Sequence, residues 1–220
     1  NVSLNPRLDI TIPLTSKLEM QIGFVKQTTI KSILDTHDGY ILTNYRTLRQ
    51  NDSILPVEKL KNLKGSFAYK KPLNGLFIYF TTSYSALKRN LLLSNTYNNS
   101  LTKTLAIQRW NNQYSLYFTG YINKFFLTAK TNVSIVFVRG EIKNLQLLQN
   151  TETQISSTIN EIKIKTTVNK FSWGNFENSL SLQKNKSKLF QMRNEISDIQ
   201  NFSIQNNFKA LMFCLFYFFI

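Results

Sequence analysis

The residues of this sequence whose types could do chemistry begin in a polar stretch early in the chain. Asp35, His37 and Asp38 bring two carboxylates close to the single imidazole of the protein. Carboxylate and imidazole groups can ligate a metal ion, but in a polar loop the same side chains are more often simply solvated. We therefore predict no metal site and no cofactor.

The same stretch offers side chains for contacting a ligand. Aromatic, amide and guanidinium groups follow the acidic residues, and long surface loops commonly carry recognition while a scaffold holds them in place. The predicted ligand-contact residues, in what would be an outer loop, are Asp35, His37, Asp38, Tyr40, Asn44, Tyr45, Arg46 and Arg49.

Groups suited to catalysis are scarce. Cys214 is the single cysteine and lies in an apolar run at the far end of the chain from His37, so a thiolate and imidazole pair would have to form across the whole protein. The 7 glycines are isolated, so no phosphate-binding glycine loop is present. We predict that the protein is not an enzyme.

Composition narrows the class of protein further. Lysine and arginine number 27 against 12 aspartates and glutamates, which gives a net charge of +15 over 220 residues. A hydrophobic share of 42% and an aromatic share of 13% exclude intrinsic disorder. The basic excess indicates an anionic partner, either nucleic acid or an anionic surface.

The elements that must position these residues are strands. Apolar side chains alternate with polar ones from Ile78 to Ala86, and again from Tyr114 to Ile122, and a period of two is typical of strands. The extended pattern continues for longer than the five or six residues of a usual soluble strand. Strands that cross a membrane need roughly 9 to 11 residues.

Short and long connections alternate along the chain. Turn-like residues predict short connections, and longer polar stretches between them predict long loops. This arrangement is typical of an antiparallel transmembrane β-barrel, here a partial one with about nine long strands, short inner turns and long outer loops. The short connections are expected at residues 13–17, 71–75, 123–130 and 169–174, and the long ones at 28–59, 88–103, 144–153 and 187–194.

Several segments resemble one known family. Leu4-Asn5-Pro6-Arg7-Leu8, the stretch at 38–48 and Lys71-Pro72-Leu73-Asn74-Gly75 stand in the order found in the C-terminal half of the barrel of Bacteroidetes TonB-dependent receptors. The aromatic turns at 124–126 and 171–173 are similar to that family as well. The resemblance implies a transporter in the bacterial outer membrane whose loops capture a ligand, and which TonB energises through a plug domain. We expect the plug to lie outside this sequence.

The end of the chain departs from the family pattern. A barrel's last strand should alternate, but residues 210–220 are apolar on both faces. We therefore predict a partial barrel domain over residues 1–209 and a separate apolar tail over 210–220. An odd number of antiparallel strands does not close a bacterial barrel, so the chain is expected to form only part of one.

Aromatic residues cluster near the predicted strand ends. In a barrel they would form the girdles at the two membrane interfaces, and in a soluble fold they would pack within the sheet. The predicted interface residues are Trp110, Tyr114, Tyr121, Phe125, Phe126, Phe171 and Trp173. The expected surroundings are outer-membrane lipid and lipopolysaccharide.

Two alternatives remain open at this point. A soluble, basic, β-rich RNA-binding protein of the ribosomal type would explain the charge and the interleaved aromatics, and it predicts that lysine and arginine gather on one face. An outer-membrane barrel without TonB coupling would share every feature of the wall. We favour the receptor, with no nucleic-acid partner.

Overall fold

A computed structural model describes residues 4–30, 39–51, 55–98, 101–171, 174–191 and 194–212. Strands make up 89% of them, which confirms the all-β prediction. The strands are β1 (Arg7–Thr15), β2 (Leu18–Ile30), β3 (Ile41–Asn44), β4 (Thr47–Asn51), β5 (Val57–Lys71), β6 (Leu76–Asn98), β7 (Leu101–Phe126), β8 (Thr131–Leu148), β9 (Thr151–Phe171), β10 (Gly174–Gln191) and β11 (Asn194–Met212). Within these residues, no helix has the length and apolar character needed to cross a membrane.

One sheet contains all the strands. Its main path follows the order β1-β2-β5-β6-β7-β8-β9-β10-β11, and neighbours on this path pair antiparallel. The sheet thus has eleven strands, nine of them on the main path, where about nine were predicted. The β3–β4 hairpin lies off the path, where β4 pairs in parallel with β7. In the described residues the order ends at β1 and β11, which have no pairing with each other.

The connections at one end of the strands, here called the near rim, are short as predicted. They follow β1, β5, β7 and β9, and the one after β5 is a single turn of 3-10 helix, Pro72–Asn74, closed by Gly75. The opposite end is called the far rim. Its long connection lies between β2 and β5 and contains the β3–β4 hairpin.

The prediction of long loops at 88–103, 144–153 and 187–194 is wrong. Strands occupy most of the described residues in all three stretches, and β8 joins β9 through Gln149 and Asn150 alone. Both of these residues have positive φ, as in the tight turns that match strand twist. These strands were not predicted because strands pair through their backbones, which requires no apolar side chains. An alternating hydrophobic pattern arises only where one face of a strand is buried or lies in lipid.

The sheet has one apolar face. The register places apolar residues directly opposite one another across consecutive strands, and Phe80 and Phe118 bring their ring centres to 6.4 Å. One such row runs through Ile12, Met20, Phe67, Phe80, Gly120, Phe137, Ile162, Leu182 and Ile204. This surface is the apolar face throughout.

The other face is polar. Cross-strand hydrogen bonds connect its side chains, such as Ser181 Oγ donating to Glu161 Oε1 at 3.3 Å. Lys163 and Lys165 lie on this face, and Lys165 Nζ pairs with Glu177 at 2.8 Å. The row next to the apolar one above runs through Thr11, Gln21, Ser66, Thr81, Thr119, Val138, Glu161, Gln183 and Ser203.

Among the described residues, no second layer covers either face of the sheet. Phe80 is 42% exposed and Ile135 39% exposed, although both lie in the middle strands of the sheet. In the described part of the chain, Leu92 and Ala106 are the hydrophobic side chains that are completely buried. An apolar surface of this extent on a protein surface marks contact with a partner or a membrane.

Those two buried residues belong to an extension of the β6–β7 hairpin. A register shift at Asn90 changes the pairing, and beyond it residues 91–98 pair with 101–108. In this extension, the β6–β7 arm, β7 pairs with β4 and β6 pairs with the end of β8. A bulge increases the local twist of a strand pair. The arm is rotated relative to the rest of the hairpin, so that β7 now lies beside β4 and β6 beside β8.

The far end of the chain continues the sheet beyond the predicted domain boundary. β11 runs to Met212, so residues 210–212 of the predicted apolar tail belong to a strand paired with β10. Residues 213–220 lie outside the described part of the chain. The structure therefore moves the end of the sheet slightly into the predicted tail.

Candidate functional site

A polar cleft opens where the β6–β7 arm leaves the sheet. It has a volume of about 260 Å³ and lies on the polar face at the far rim. Five segments that are distant in sequence form it: β4, the start of β5, β6, β7 and β8. Its walls consist of Arg49, Pro56, Val57, Glu58, Arg89, Asn90, Leu91, Leu93, Asn111, Gln113, Asn144, Leu145 and Gln146.

Register explains why three of these polar residues meet. Glu58 lies opposite Arg89, which lies opposite Asn111, so a carboxylate, a guanidinium and an amide stand side by side on β5, β6 and β7. Glu58 Oε1 and Arg89 Nε are 2.8 Å apart. This ion pair holds the Arg89 side chain at the edge of the cleft.

Asn90 anchors the floor of the cleft. Its Nδ2 donates to the Leu55 carbonyl oxygen at 2.9 Å, and its Oδ1 accepts from the Val57 amide at 2.8 Å. Asn90 is 9% exposed, and both ends of its amide are satisfied by the chain that enters β5. Asn90 thereby ties the long connection to the base of the arm.

A second amide closes the bulge from the other strand. Asn111 Nδ2 donates to the Leu91 carbonyl oxygen at 3.2 Å, which satisfies a backbone group freed by the register shift. A neighbouring ion pair joins Arg109 to Glu152 of β9. The base of the arm is therefore held on both sides by side-chain contacts.

The chemistry of the polar cleft is that of hydrogen bonding. Guanidinium and carboxamide groups suit hydroxyl and carboxylate groups of a polar ligand, although Arg89, Asn90 and Asn111 already contact groups of the protein. In the described residues, no cluster of three or more potential metal ligands occurs.

The predicted ligand-contact residues divide into three groups. Asp35, His37 and Asp38 lie outside the described residues. Arg49 of β4 lines the polar cleft, so it joins residues contributed by four other strand segments. The remaining four belong to the β3–β4 hairpin or precede it, and they lie away from the cleft walls: Tyr40, Asn44, Tyr45 and Arg46.

Within the hairpin, one of these residues has a structural role. Asn44 Oδ1 accepts from the Arg46 amide at 2.9 Å and so closes the turn. Tyr45 is 81% exposed, and the Arg46 guanidinium carbon lies 5.1 Å from its ring centre. Tyr40 has Lys103 Nζ 5.9 Å from its ring centre. The hairpin thus presents two aromatic rings beside cations at the far rim.

Sequence reasoning missed most of the cleft. Glu58, Asn90, Asn111 and Gln146 come from stretches that looked like unremarkable polar loop or strand. These four residues have one sequence feature in common. Each lies outside the segments in which apolar and polar residues alternate. Only the register brings these positions together.

The predicted interface aromatics fall on both faces. Tyr114 lies opposite Ala86 on the apolar face, and Phe126 lies on the same face near the near rim. Trp110 belongs with them because the amino groups of Lys59 and Lys88, which face that side, lie 5.2 and 5.1 Å from its ring centre.

Two predicted aromatics lie on the opposite side. Tyr121 pairs with Tyr79 and Phe125 with Asn132, which places both on the polar face. An aromatic girdle on the apolar face would not include them, since neighbouring residues of a strand point to opposite sides. Trp173 and the side chain of Phe171 lie outside the described residues.

The structure adds an aromatic pair that was not singled out from the sequence. Phe176 of β10 and Phe208 of β11 are diagonal neighbours close to the near rim, with ring centres 6.3 Å apart. They occupy the apolar face. Both could have been found from the sequence, because each stands an even number of residues away from an apolar-face residue of its own strand.

Comparisons with protein-family models, curated proteins and solved structures find no match for this chain.

Proposed function

We propose that this chain forms part of the wall and outer loops of a TonB-dependent receptor in the bacterial outer membrane, which takes up a polar ligand. One observation carries the proposal: a single-layer antiparallel sheet has one continuous apolar face and one continuous polar face. A barrel wall needs this pattern, because one side contacts lipid and the other a hydrated lumen.

Strand dimensions support the same interpretation. The apolar alternation of β6 runs from Ile78 to Ala86, close to the roughly 9 to 11 residues that a tilted spanning strand needs. The strands then continue toward the far rim, where β6 and β7 reach 23 and 26 residues. Such extensions would stand outside the membrane and support ligand-contact residues.

Closure of the wall belongs to the proposal. β1 and β11 each have one neighbouring strand in the described part of the chain. In lipid an unpaired strand edge would cost several kcal/mol for each unsatisfied backbone group. In the proposed wall the two edges therefore pair with further strands when the sheet is inserted.

The polar cleft supplies the proposed ligand contact. It lies on the lumen-facing side at the far rim, and Arg49 brings the β3–β4 hairpin to it. TonB coupling rests on the family-like sequence segments alone. A barrel without TonB coupling would share the same wall and the same cleft.

The distribution of basic residues favours the membrane over RNA. The ribosomal-type alternative predicts one basic face, but Lys64 and Lys163 lie on the polar face while Lys26 and Lys61 lie on the apolar face. A soluble RNA-binding sheet would also have to leave its apolar face in water. Neither feature suits recognition of an RNA backbone along one surface.

Spin-label accessibility tests the proposal. In a Cys214→Ser background, single cysteines replace Phe80 or Ile135 on the apolar face and Thr81 or Val136 on the polar face, and the protein is reconstituted in phosphatidylcholine vesicles. We expect labels at 80 and 135 to relax faster with oxygen, which concentrates in lipid. Labels at 81 and 136 should instead respond to a water-soluble nickel complex. Equal nickel access at all four positions would refute the membrane wall.

A further inference from the structure

A groove rich in lysine lies on the apolar face. It is closer to the far rim than the rows of apolar residues on that face. It has a volume of about 340 Å³, and its cations are Lys26 of β2, Lys59 and Lys61 of β5, and Lys88 of β6. Ala86 and Tyr114 form part of its wall. These four lysines and their surroundings are called the lysine groove.

Register forces the four cations together. Lys26 lies directly opposite Lys61, and Lys59 directly opposite Lys88, in neighbouring rows of the same face. Neighbouring strands are about 4.8 Å apart, so like charges stand side by side. Like charges opposite one another destabilise a sheet, and a bound anion would remove that cost.

No described carboxylate forms an ion pair with any of the four lysines. Glu58 is next to Lys59 in sequence, but it points to the other face and pairs with Arg89. Lys59 and Lys88 instead hold their amino groups over the two-ring system of Trp110. Stacking on an aromatic ring orients these ammonium groups without neutralising them.

The residues next to the groove indicate which kind of anion would bind there. One step toward the near rim, the same face carries Phe24, Leu63, Tyr84 and Leu116 in one cross-strand row. A ligand that fills both parts needs phosphate at one end and hydrocarbon at the other. A free phosphate or a nucleic acid would leave the apolar row uncovered.

We propose that the lysine groove binds the phosphates of a lipid headgroup whose acyl chains lie on the apolar row. Lys26 and Lys61 contact one side of the headgroup, and Lys59 and Lys88 the other, with Trp110 at the boundary. The fitting chemistry is a phosphorylated glycolipid that carries two phosphates, because two pairs of ammonium groups are available. This inference rests on the proposed membrane wall.

Titration of the refolded protein in neutral detergent, read by native mass spectrometry, tests the site. The probe is diphosphorylated lipid A, and the monophosphorylated form and inorganic phosphate are compared with it. The Lys59→Gln/Lys88→Gln variant should bind the probe at least about tenfold more weakly, since both ammonium groups on one side of the headgroup lose their charge. The monophosphorylated lipid should bind more weakly to the unaltered protein.

A variant with the same change of charge provides the control. Lys64→Gln/Lys163→Gln alters the polar face and should leave the affinity for lipid A within a factor of two of the original. Equal weakening by both variants would overturn the site, as would full displacement of the lipid by equimolar inorganic phosphate or by an RNA oligonucleotide.

The two proposals fail in distinguishable ways. Lipid-exposed labels at 80 and 135 together with no groove-dependent lipid binding would overturn the lysine groove alone. Water-exposed labels at those positions would overturn the membrane wall and the groove with it.

Discussion

Two glycines show how closely side chains and backbone approach in this sheet. Gly75 ends the near-rim turn after β5 with φ +59°, and a Cβ there would lie 2.9 Å from the Phe125 carbonyl oxygen. Gly140 lies directly opposite Tyr117, whose ring covers it so closely that a Cβ would lie 2.5 Å from a ring carbon. At Gly75 the obstacle is backbone, which cannot move aside as a side chain can.

The close approach at Gly75 leads to a prediction about stability. Gly75→Ala should destabilise the protein by about 1–3 kcal/mol, because the alanine would be strained at positive φ and would clash with Phe125. Urea unfolding in detergent micelles, followed by tryptophan fluorescence, measures the change.

Gly120→Ala is the matched control. The nearest heavy atom to a Cβ at Gly120 is a ring carbon of Phe80 at 4.0 Å, which is an ordinary contact. Its free energy of unfolding should stay within about 0.5 kcal/mol of the original. A similar loss in both variants would show that the turn geometry is not the cause.

At the scale of elements, the β6–β7 arm differs from the rest of the sheet. It has neighbours on both sides, β4 and β8, that differ from the neighbours of the same strands below Asn90. It also contains Leu92 and Ala106, which are fully buried. The arm is therefore held by local burial, whereas the wall is held by the ladder of backbone hydrogen bonds.

The arm should loosen separately from the wall. Leu92→Ala removes a completely buried side chain, at a cost of about 2–5 kcal/mol. We expect faster hydrogen exchange across residues 91–108 and unchanged exchange across β8 and β9.

Leu93→Ala serves as the comparison for this experiment. Leu93 is the next residue along β6 and is 37% exposed, so its loss should accelerate exchange in the arm far less. If Leu92→Ala accelerated exchange across β8 and β9 as strongly as in the arm, arm and wall would be one cooperative unit.

At the scale of the whole molecule, the two faces of the sheet decide what can surround it. Every strand of the main path presents alternate residues to the same side, and eight successive antiparallel pairings carry this parity from β1 to β11. A single layer without a covering element cannot bury an apolar face within itself. Its stability in the proposed setting therefore depends on lipid.

Adjacent substitutions on β8 test this dependence. Ile135→Lys places a charge on the apolar face and should reduce the free energy of folding into phosphatidylcholine vesicles by about 2–4 kcal/mol. Val136→Lys places the same charge on the polar face and should cost little. The folded fraction across a urea series measures both, and equal costs would mean that the two faces do not see different solvents.

The sequence alone determined the strands that alternate in hydrophobicity and the near-rim turns between them. The period of two in β6 and β7 reports directly which residues share a face, and the residues around Gly75 report a turn through their local conformational preferences. Both signals are local, so they can be recognised without knowing the pairing of strands.

The places where polar and charged side chains come together, in contrast, depend on the pairing of strands. The extensions of β6, β8 and β10 lack a sustained alternation of apolar and polar residues, and the register shift at Asn90 that rotates the arm is a property of strand pairing. The same pairing joins Arg49 to Asn90 and Gln146 in the polar cleft and brings Lys26 and Lys88 into one groove. Contacts between residues so far apart in the chain depend on which strand backbones hydrogen-bond to one another, and no local pattern encodes that.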